Sequence, residues 1–198
     1  MGIKERKTRE KENLRKHIVS TAQEILMNHG LDGLTMRAVA NDIEYSQSKI
    51  YEFFASKDEL YEELCGVNCE MLLKVLQKIP SDINKKKYLT DLVVKTIEFH
   101  SSIPHSDELL TLICFGPPRY KVPKAFQEIE KLFISALKDL KSPYLTTEND
   151  ILSSLDIIRC IFIGVSKLMV SQIPLSGKVR GQEIAKNALE ALLRGWEK

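Results

Sequence analysis

Apolar residues recur at three- and four-residue steps along almost the whole of this chain, and nowhere do they alternate for any length. A recurrence near 3.6 residues lays one apolar stripe along a helix, whereas a half-buried strand needs a period of two. The pattern restricts the chain to an all-α fold. Residues 14–27 place Leu14, Ile18, Ala22, Ile25 and Leu26 on one face, and Asn28-His29-Gly30 ends that run, with Gly30 free to take a left-handed backbone. Thr35 is an N-cap for a short helix with Met36, Val39, Ala40 and Ile43 inward. Ser46 caps a third helix carrying Ile50 and Phe54, and Ser56 a fourth with Asp58 and Glu59 in its first turn. That fourth helix continues through Leu60, Leu64, Val67, Met71, Val75 and Ile79.

A polar connection over 80–87 precedes a helix over 88–103, then a short apolar piece over 109–115 ended by Gly116-Pro117-Pro118. Pro123 opens a helix bearing Phe126, Ile129, Phe133 and Leu137. Thr147 caps a long helix to about Gln172, which Pro174 and Gly177 break, and a last helix carries Ile184, Ala188, Leu189, Leu192, Leu193 and Trp196. About nine helices result, with no internal repeat and no low-complexity tract.

Several function classes drop out. With 43% hydrophobic and 28% charged residues, the composition is that of an ordinary globular chain. No apolar run follows the charged start, and position 6, where a myristoylation signal wants Ser or Thr, is Arg6. The most apolar stretch, 157–170, is short and carries Arg159 and Lys167, so no membrane partner is expected. No CxxC or CxxH pair occurs among the four cysteines, so no metal is expected and the thiols read as reduced and cytoplasmic. Cys65 and Cys69, four apart, would suit a thiol or metal sensor, but buried cysteines usually act as small hydrophobes. Without a glycine-rich phosphate loop, a His/acid metal spacing or a nucleophile motif, neither an enzyme nor a cofactor is expected.

Total charge is +2 and says little. Residues 1–16 set Lys4, Arg6, Lys7, Arg9, Lys11, Arg15 and Lys16 against Glu5, Glu10 and Glu12, whereas 1–60 as a whole is neutral. Any nucleic-acid argument must therefore rest on placed residues. Three short helices in about 45 residues, the second and third joined by a tight turn, have the shape of a helix-turn-helix, which lays its second helix in the major groove. On the third helix Gln47, Ser48 and Tyr51 lie opposite Ile50 and Phe54, with Lys49 at the flank. Gln pairs with adenine, and Lys and Tyr hold phosphate oxygens. A solvated helix face gives the same composition.

Residues 18–60 resemble the DNA-binding segment of the TetR family. The elements that carry the resemblance are Ala22, Gly30, Thr35, Val39-Ala40, Ile50-Tyr51, Phe54 and Ser56-Lys57-Asp58-Glu59-Leu60, and the ending Leu192-Leu193-Arg194-Gly195 is similar to the family's usual close. The resemblance implies a helix-turn-helix domain over 1–56 with a basic arm, and a helical ligand-sensing and dimerisation domain over 57–198. It implies that Thr35 meets a phosphate, Arg37 reaches a base edge, Gln47 and Ser48 sit over bases, Lys49 and Tyr51 touch backbone or flanking bases, and Lys57 holds phosphate. Two positions depart from it. Glu44 stands where the family usually has Gly in the turn, a cost of roughly 1 kcal/mol or more if the backbone there is left-handed. Tyr45 replaces a small aliphatic and must fit its bulk into the motif.

For the body, the resemblance implies a small-molecule pocket, with Phe99, Cys114, Phe115, Tyr120, Phe133, Phe162 and Met169 as candidate lining and an apolar or amphipathic effector as partner. His100 and His105 would be polar pocket groups or surface residues, with the surface favoured. The helix over 155–170 is apolar nearly all round and needs cover on two sides. A second copy of the chain would supply it, with Ile158, Phe162, Val165, Ala188, Leu192 and Trp196 as contacts in a homodimer. The expected function is a ligand-responsive repressor on a palindromic double-stranded DNA operator. The alternative is a helical protein-interaction adaptor without DNA binding.

Overall fold

The computed structural model describes residues 2–82, 84–170 and 181–196. Among them are nine α-helices and no strand: α1 Ile3–Gly33, α2 Met36–Asp42, α3 Gln47–Tyr51, α4 Lys57–Leu76, α5 Lys85–Ser102, α6 Ser106–Cys114, α7 Lys124–Asp139, α8 Glu148–Val170 and α9 Gly181–Gly195. The expected end of α8 near Gln172, and the break at Pro174 and Gly177, lie outside the described residues. By packing, the chain forms two compact units, Met1–Asn68 with Pro104–Pro123, and Cys69–Ile103 with Lys124–Lys198. The expected boundary between residues 56 and 57 thus differs from the packing: the first three turns of α4, and α6 with the segment after it, belong with the helix-turn-helix.

In the first unit the stripe Ile18, Ala22, Ile25 and Leu26 of α1 meets Met36, Val39 and Ala40 of α2, Ile50 of α3, Phe54, and Leu60 and Leu64 of α4, all buried. Fully burying each Ile, Leu, Val, Met or Phe among them contributes about 1.5–3 kcal/mol. Gly30 kinks α1 with φ 66° and ψ −170°, a conformation open almost only to glycine. A Cβ there would lie 3.2 Å from Cε1 of His105. The Tyr61 hydroxyl donates to the Leu31 carbonyl (2.9 Å) and holds the chain past the kink against α4. Two further bonds anchor the segment after α6. The Tyr120 hydroxyl donates to Asp58 Oδ1 (3.2 Å), and the Lys121 N–H to Glu62 Oε1 (2.8 Å).

The second unit is a cluster in which α5 packs on α7, α8 and α9, and α8 on α7 and α9. Leu89, Leu92, Val93 and Ile97 of α5 meet Phe133 and Leu137 of α7, Leu155, Ile158, Phe162 and Val165 of α8, and Ala185, Leu189 and Leu193 of α9. Arg159 of α8 pairs with Glu130 of α7, and Lys85 with Asp139 at 3.2 Å.

Three expectations are corrected here. His100 is buried, not at the surface, because it follows Val93 and Ile97 on the inner face of α5; its ring meets those of Phe99 and Phe162 edge-on, at 5.4 and 5.0 Å between centroids. His105 is half-buried over Gly30. The connection after α4 lies three residues earlier than expected, over 77–84, since α4 ends at Leu76 and Asn84 caps α5 by accepting from the N–H groups of Lys86 (3.0 Å) and Lys87 (3.2 Å).

Candidate nucleic-acid interface

The turn between α2 and α3 is built from bonds that the helix end itself requires. An α-helix leaves its last carbonyls without partners, and a left-handed residue just beyond lets the chain fold back onto them. Here the Tyr45 N–H donates to the Ala40 carbonyl (2.9 Å) and the Glu44 N–H to that of Asn41 (3.2 Å). Glu44 takes the left-handed conformation this needs, at φ 58°. The departure from glycine is therefore one of residue type and not of backbone. Tyr45 does not fit into the motif as expected. Emerging just past the left-handed residue, it turns outward and is 46% exposed.

Both caps read from the sequence are present. The Ala38 N–H donates to Thr35 Oγ1 at 3.0 Å, and the Lys49 N–H to Ser46 Oγ at 3.3 Å. At α4 the cap is reciprocal: the Glu59 N–H donates to Ser56 Oγ (3.1 Å), and the Ala55 N–H to the Glu59 carboxylate (2.6 Å). These caps fix the ends of the three helices that carry the candidate contact residues.

Thr35, Arg37, Gln47, Ser48 and Tyr51 are all exposed around the buried Met36, Val39 and Ile50. Tyr51, at 46% exposure, does not pack its ring into the motif. Lys49 and Lys57 are half-buried and engaged. The Lys49 ammonium pairs with Glu52 at 2.5 Å and lies 5.8 Å from the centre of the Phe53 ring, and that of Lys57 lies 5.0 Å from the centre of the Tyr61 ring. To reach a phosphate Lys49 must leave a surface carboxylate, an exchange of small cost.

The basic arm is a helix, the first four turns of α1, and it bears on the same region. Lys11 lies 5.8 Å from the centre of the Phe53 ring. Arg15 stacks 4.6 Å from that of Phe54 and forms a two-pronged pair with Glu63, both bonds 3.1 Å. Between arm and α3 lies an open groove of about 710 Å³, lined by Glu10, Lys11, Asn13, Leu14, His17, Tyr45, Lys49, Glu52 and Phe53. The composition of the arm signalled charge, but nothing in it signalled that Phe53 and Phe54 would hold Lys11 and Arg15.

A three-helix unit of this form is what the comparison with known families recovers. The model of the family described as bacterial regulatory proteins, tetR family, matches residues 18–64. Over that segment the chain is similar to the TetR family. Solved structures share the fold over nearly their whole length. BioQ from Mycobacterium smegmatis is 18% identical with a TM-score of 0.70, covering 91% of this chain and 95% of that one. BioQ with its natural double-stranded DNA operator is 18% identical with a TM-score of 0.71, covering 91% and 98%. Apo ActR from Streptomyces coelicolor is 14% identical with a TM-score of 0.68, covering 92% and 93%. No curated protein matches the sequence. The match over the helix-turn-helix segment supports a DNA-binding transcriptional regulator. Among the described residues no helix is long and apolar enough to cross a membrane, and no group of three or more His, Cys, Asp or Glu could hold a metal ion.

The residues nominated for an effector fall in both units of the chain. Cys114, Phe115 and Tyr120 belong to the first, and Phe99, Phe133, Phe162 and Met169 to the second. Tyr120 is occupied by its bond to Asp58. Phe133 and Phe162 are buried, Phe99 is half-buried beside His100, and Met169 is exposed, its sulfur accepting from Ser101 Oγ at 3.5 Å. A groove of about 230 Å³ in the second unit is lined by Lys86, Leu140, Lys141, Ser142, Pro143, Leu193 and Trp196, none of them an expected effector residue.

Of the residues nominated for a dimer contact, Ile158, Phe162 and Val165 are buried within their own unit. Ala188, Leu192 and Trp196 are half-buried. The second apolar side of α8 lies one residue round the helix, where Ile157 and Leu168 are exposed large hydrophobics, Cys160 and Gly164 are exposed, and Ile161 is half-buried.

Proposed function

We propose that this regulator is a repressor that binds a palindromic double-stranded DNA operator as a homodimer and leaves it when a small apolar or amphipathic effector occupies the helical body. The observation that carries the DNA side is the exposure of Thr35, Arg37, Gln47, Ser48 and Tyr51 on one capped pair of helices whose opposite faces are buried. Arg37 and Gln47 have the donor geometry for guanine and adenine edges, while Thr35, Lys49, Tyr51 and Lys57 have that for phosphate oxygens. BioQ, similar in fold, was solved on a double-stranded DNA operator, which supports the same kind of partner here.

The dimer reading rests on α8, whose exposed Ile157, Gly164 and Leu168 and half-buried Ile161 fall at the spacing of one helix face. A second copy covering that face, with Ala188 and Leu192 of α9 beside it, would present two reading heads to a two-fold operator. The effector reading rests on the aromatic residues Phe99, Phe133 and Phe162 gathered with the polar His100 in one unit. Helix α4 follows α3 after a short connection, so an effector that favours one body arrangement would bias the reading helices through it.

Operator affinity measured over a salt series tests the proposal. A steep fall with salt is expected, with Gln47→Ala costing about 1–3 kcal/mol at one base position and Lys49→Ala weakening all sequences alike. A flat salt dependence with no sequence preference would instead favour a protein-interaction adaptor.

A further inference from the structure

Cys65, one turn before Cys69 on α4, meets a thiol from another helix. Its Sγ lies 4.0 Å from Sγ of Cys114, the last residue of α6. Both cysteines belong to the compact unit that holds the helix-turn-helix. Cys65 is buried and Cys114 half-exposed. A pair of this kind divides the work of two-step oxidation: the accessible thiol meets the oxidant, and the sheltered one, already at van der Waals distance, resolves it. A sulfur–sulfur bond of about 2.05 Å requires the two Sγ atoms to close the remaining gap, by side-chain rotation and a shift of the end of α6. Gly116-Pro117-Pro118 follows Phe115 as irregular chain, so α6 ends at this cysteine and the shift disrupts no further helical turn.

We propose that Cys65 and Cys114 are a modification site, a dithiol that a peroxide converts to an intrachain disulfide. The Cys114 thiolate attacks a peroxide oxygen, the S–O bond forms, the O–O bond breaks, and an alcohol or water leaves after taking a proton. The Cys65 thiolate then attacks the Cys114 sulfenic acid, S–S forms, S–O breaks, and hydroxide leaves as water. Two thiols lose two electrons and the peroxide gains them. The bond joins α4 to α6, and because α4 follows α3 after a five-residue connection, it ties the chain behind the reading helix to a second point. Operator affinity then depends on thiol state, a consequence that rests on the DNA-binding reading above.

The full-length chain is reduced, treated with hydrogen peroxide, and mapped by peptide mass under non-reducing conditions. Free thiols fall from four to two, a Cys65–Cys114 cross-linked peptide appears, and dithiothreitol reverses both. Cys114→Ser abolishes the cross-link and Cys160→Ser leaves it. In Cys65→Ala the sulfenic acid of Cys114 persists and is trapped by dimedone. Cys65–Cys69 linkage, dimers linked through Cys160, or over-oxidation of Cys114 without a cross-link would each overturn the pairing. Fluorescence anisotropy on operator DNA is read separately. A reduced protein that does not bind DNA refutes the DNA reading and leaves the dithiol standing. Oxidation should change affinity by about fivefold or more, an effect lost in Cys114→Ser. Equal affinities of the two forms overturn the coupling.

Discussion

Replacing Glu44 with glycine should make this protein more stable, although it deletes a whole side chain. The backbone at Glu44 is left-handed, φ 58°, and it must be so for the Tyr45 and Glu44 N–H groups to close the end of α2. A Cβ in that conformation costs roughly 1–2 kcal/mol. Glycine relieves this but loses more freedom on folding, which returns about 0.4–1 kcal/mol of the gain. The net expectation for Glu44→Gly is a stabilisation of about 0.8 kcal/mol, within a span of roughly 0–1.6 kcal/mol. Glu44→Ala is the control, since it removes the charge and keeps the Cβ. Urea denaturation of the full-length chain should show a higher midpoint for the glycine variant at unchanged slope, and no such rise for the alanine variant. Equal midpoints for the two variants would refute the reasoning, because the gain would then come from the charge and not from the backbone. Operator binding at low salt separates the two terms from the other side. Both variants remove an anion beside the reading face and should tighten binding alike.

Thr35→Ala removes the acceptor for the Ala38 N–H and should lower stability by about 1 kcal/mol in the same urea assay, with Thr35→Ser restoring most of it. Gly30→Ala forces a Cβ into a backbone conformation nearly closed to alanine and into the His105 ring, so a loss of roughly 1–3 kcal/mol is expected, with a lower thermal midpoint. The Asp150 carboxyl is held below its ordinary value of 3.8, first by its hydrogen bond with the Thr147 hydroxyl and then by the Thr147 N–H. A carboxylate lowered in the folded state contributes stability above 3.8 that is lost as pH falls through and below that value. Acid unfolding followed by circular dichroism should therefore lose part of its steepness in Asp150→Asn.

What the sequence made legible was whatever depends on neighbours along the chain. The caps at Thr35, Ser46 and Ser56, the interruption at Gly30 and the exposure of Gln47 and Ser48 all follow from local hydrogen bonding and a 3.6-residue period. What stayed hidden depends on contacts between distant segments. Cys65, Cys69, Leu72 and Leu76 carry the buried stripe of α4 while Met71 and Val75 are exposed, because residues far away in sequence decide which side is covered. The inner phase of α8 shows the same limit. A helix apolar all round does not declare which apolar side its own unit will take, and here it takes Ile158, Phe162 and Val165. His100 was misplaced for a related reason: a polar residue breaks the hydrophobic pattern even when its helix turns it inward.

The side of α8 left outside, Ile157, Ile161, Gly164 and Leu168, has a consequence for how this protein must be measured. Once a second copy covers such a face, the free energy of that contact is added to folding only in proportion to how much protein is present, so the concentration of the chain becomes a thermodynamic variable. In the proposed dimer, unfolding midpoints should climb with protein concentration by mass action. Operator occupancy should rise more steeply than a simple hyperbola as the chain is titrated across its own association constant. Two laboratories working tenfold apart in concentration would then report different stabilities and different apparent affinities for one sequence, and both would be right.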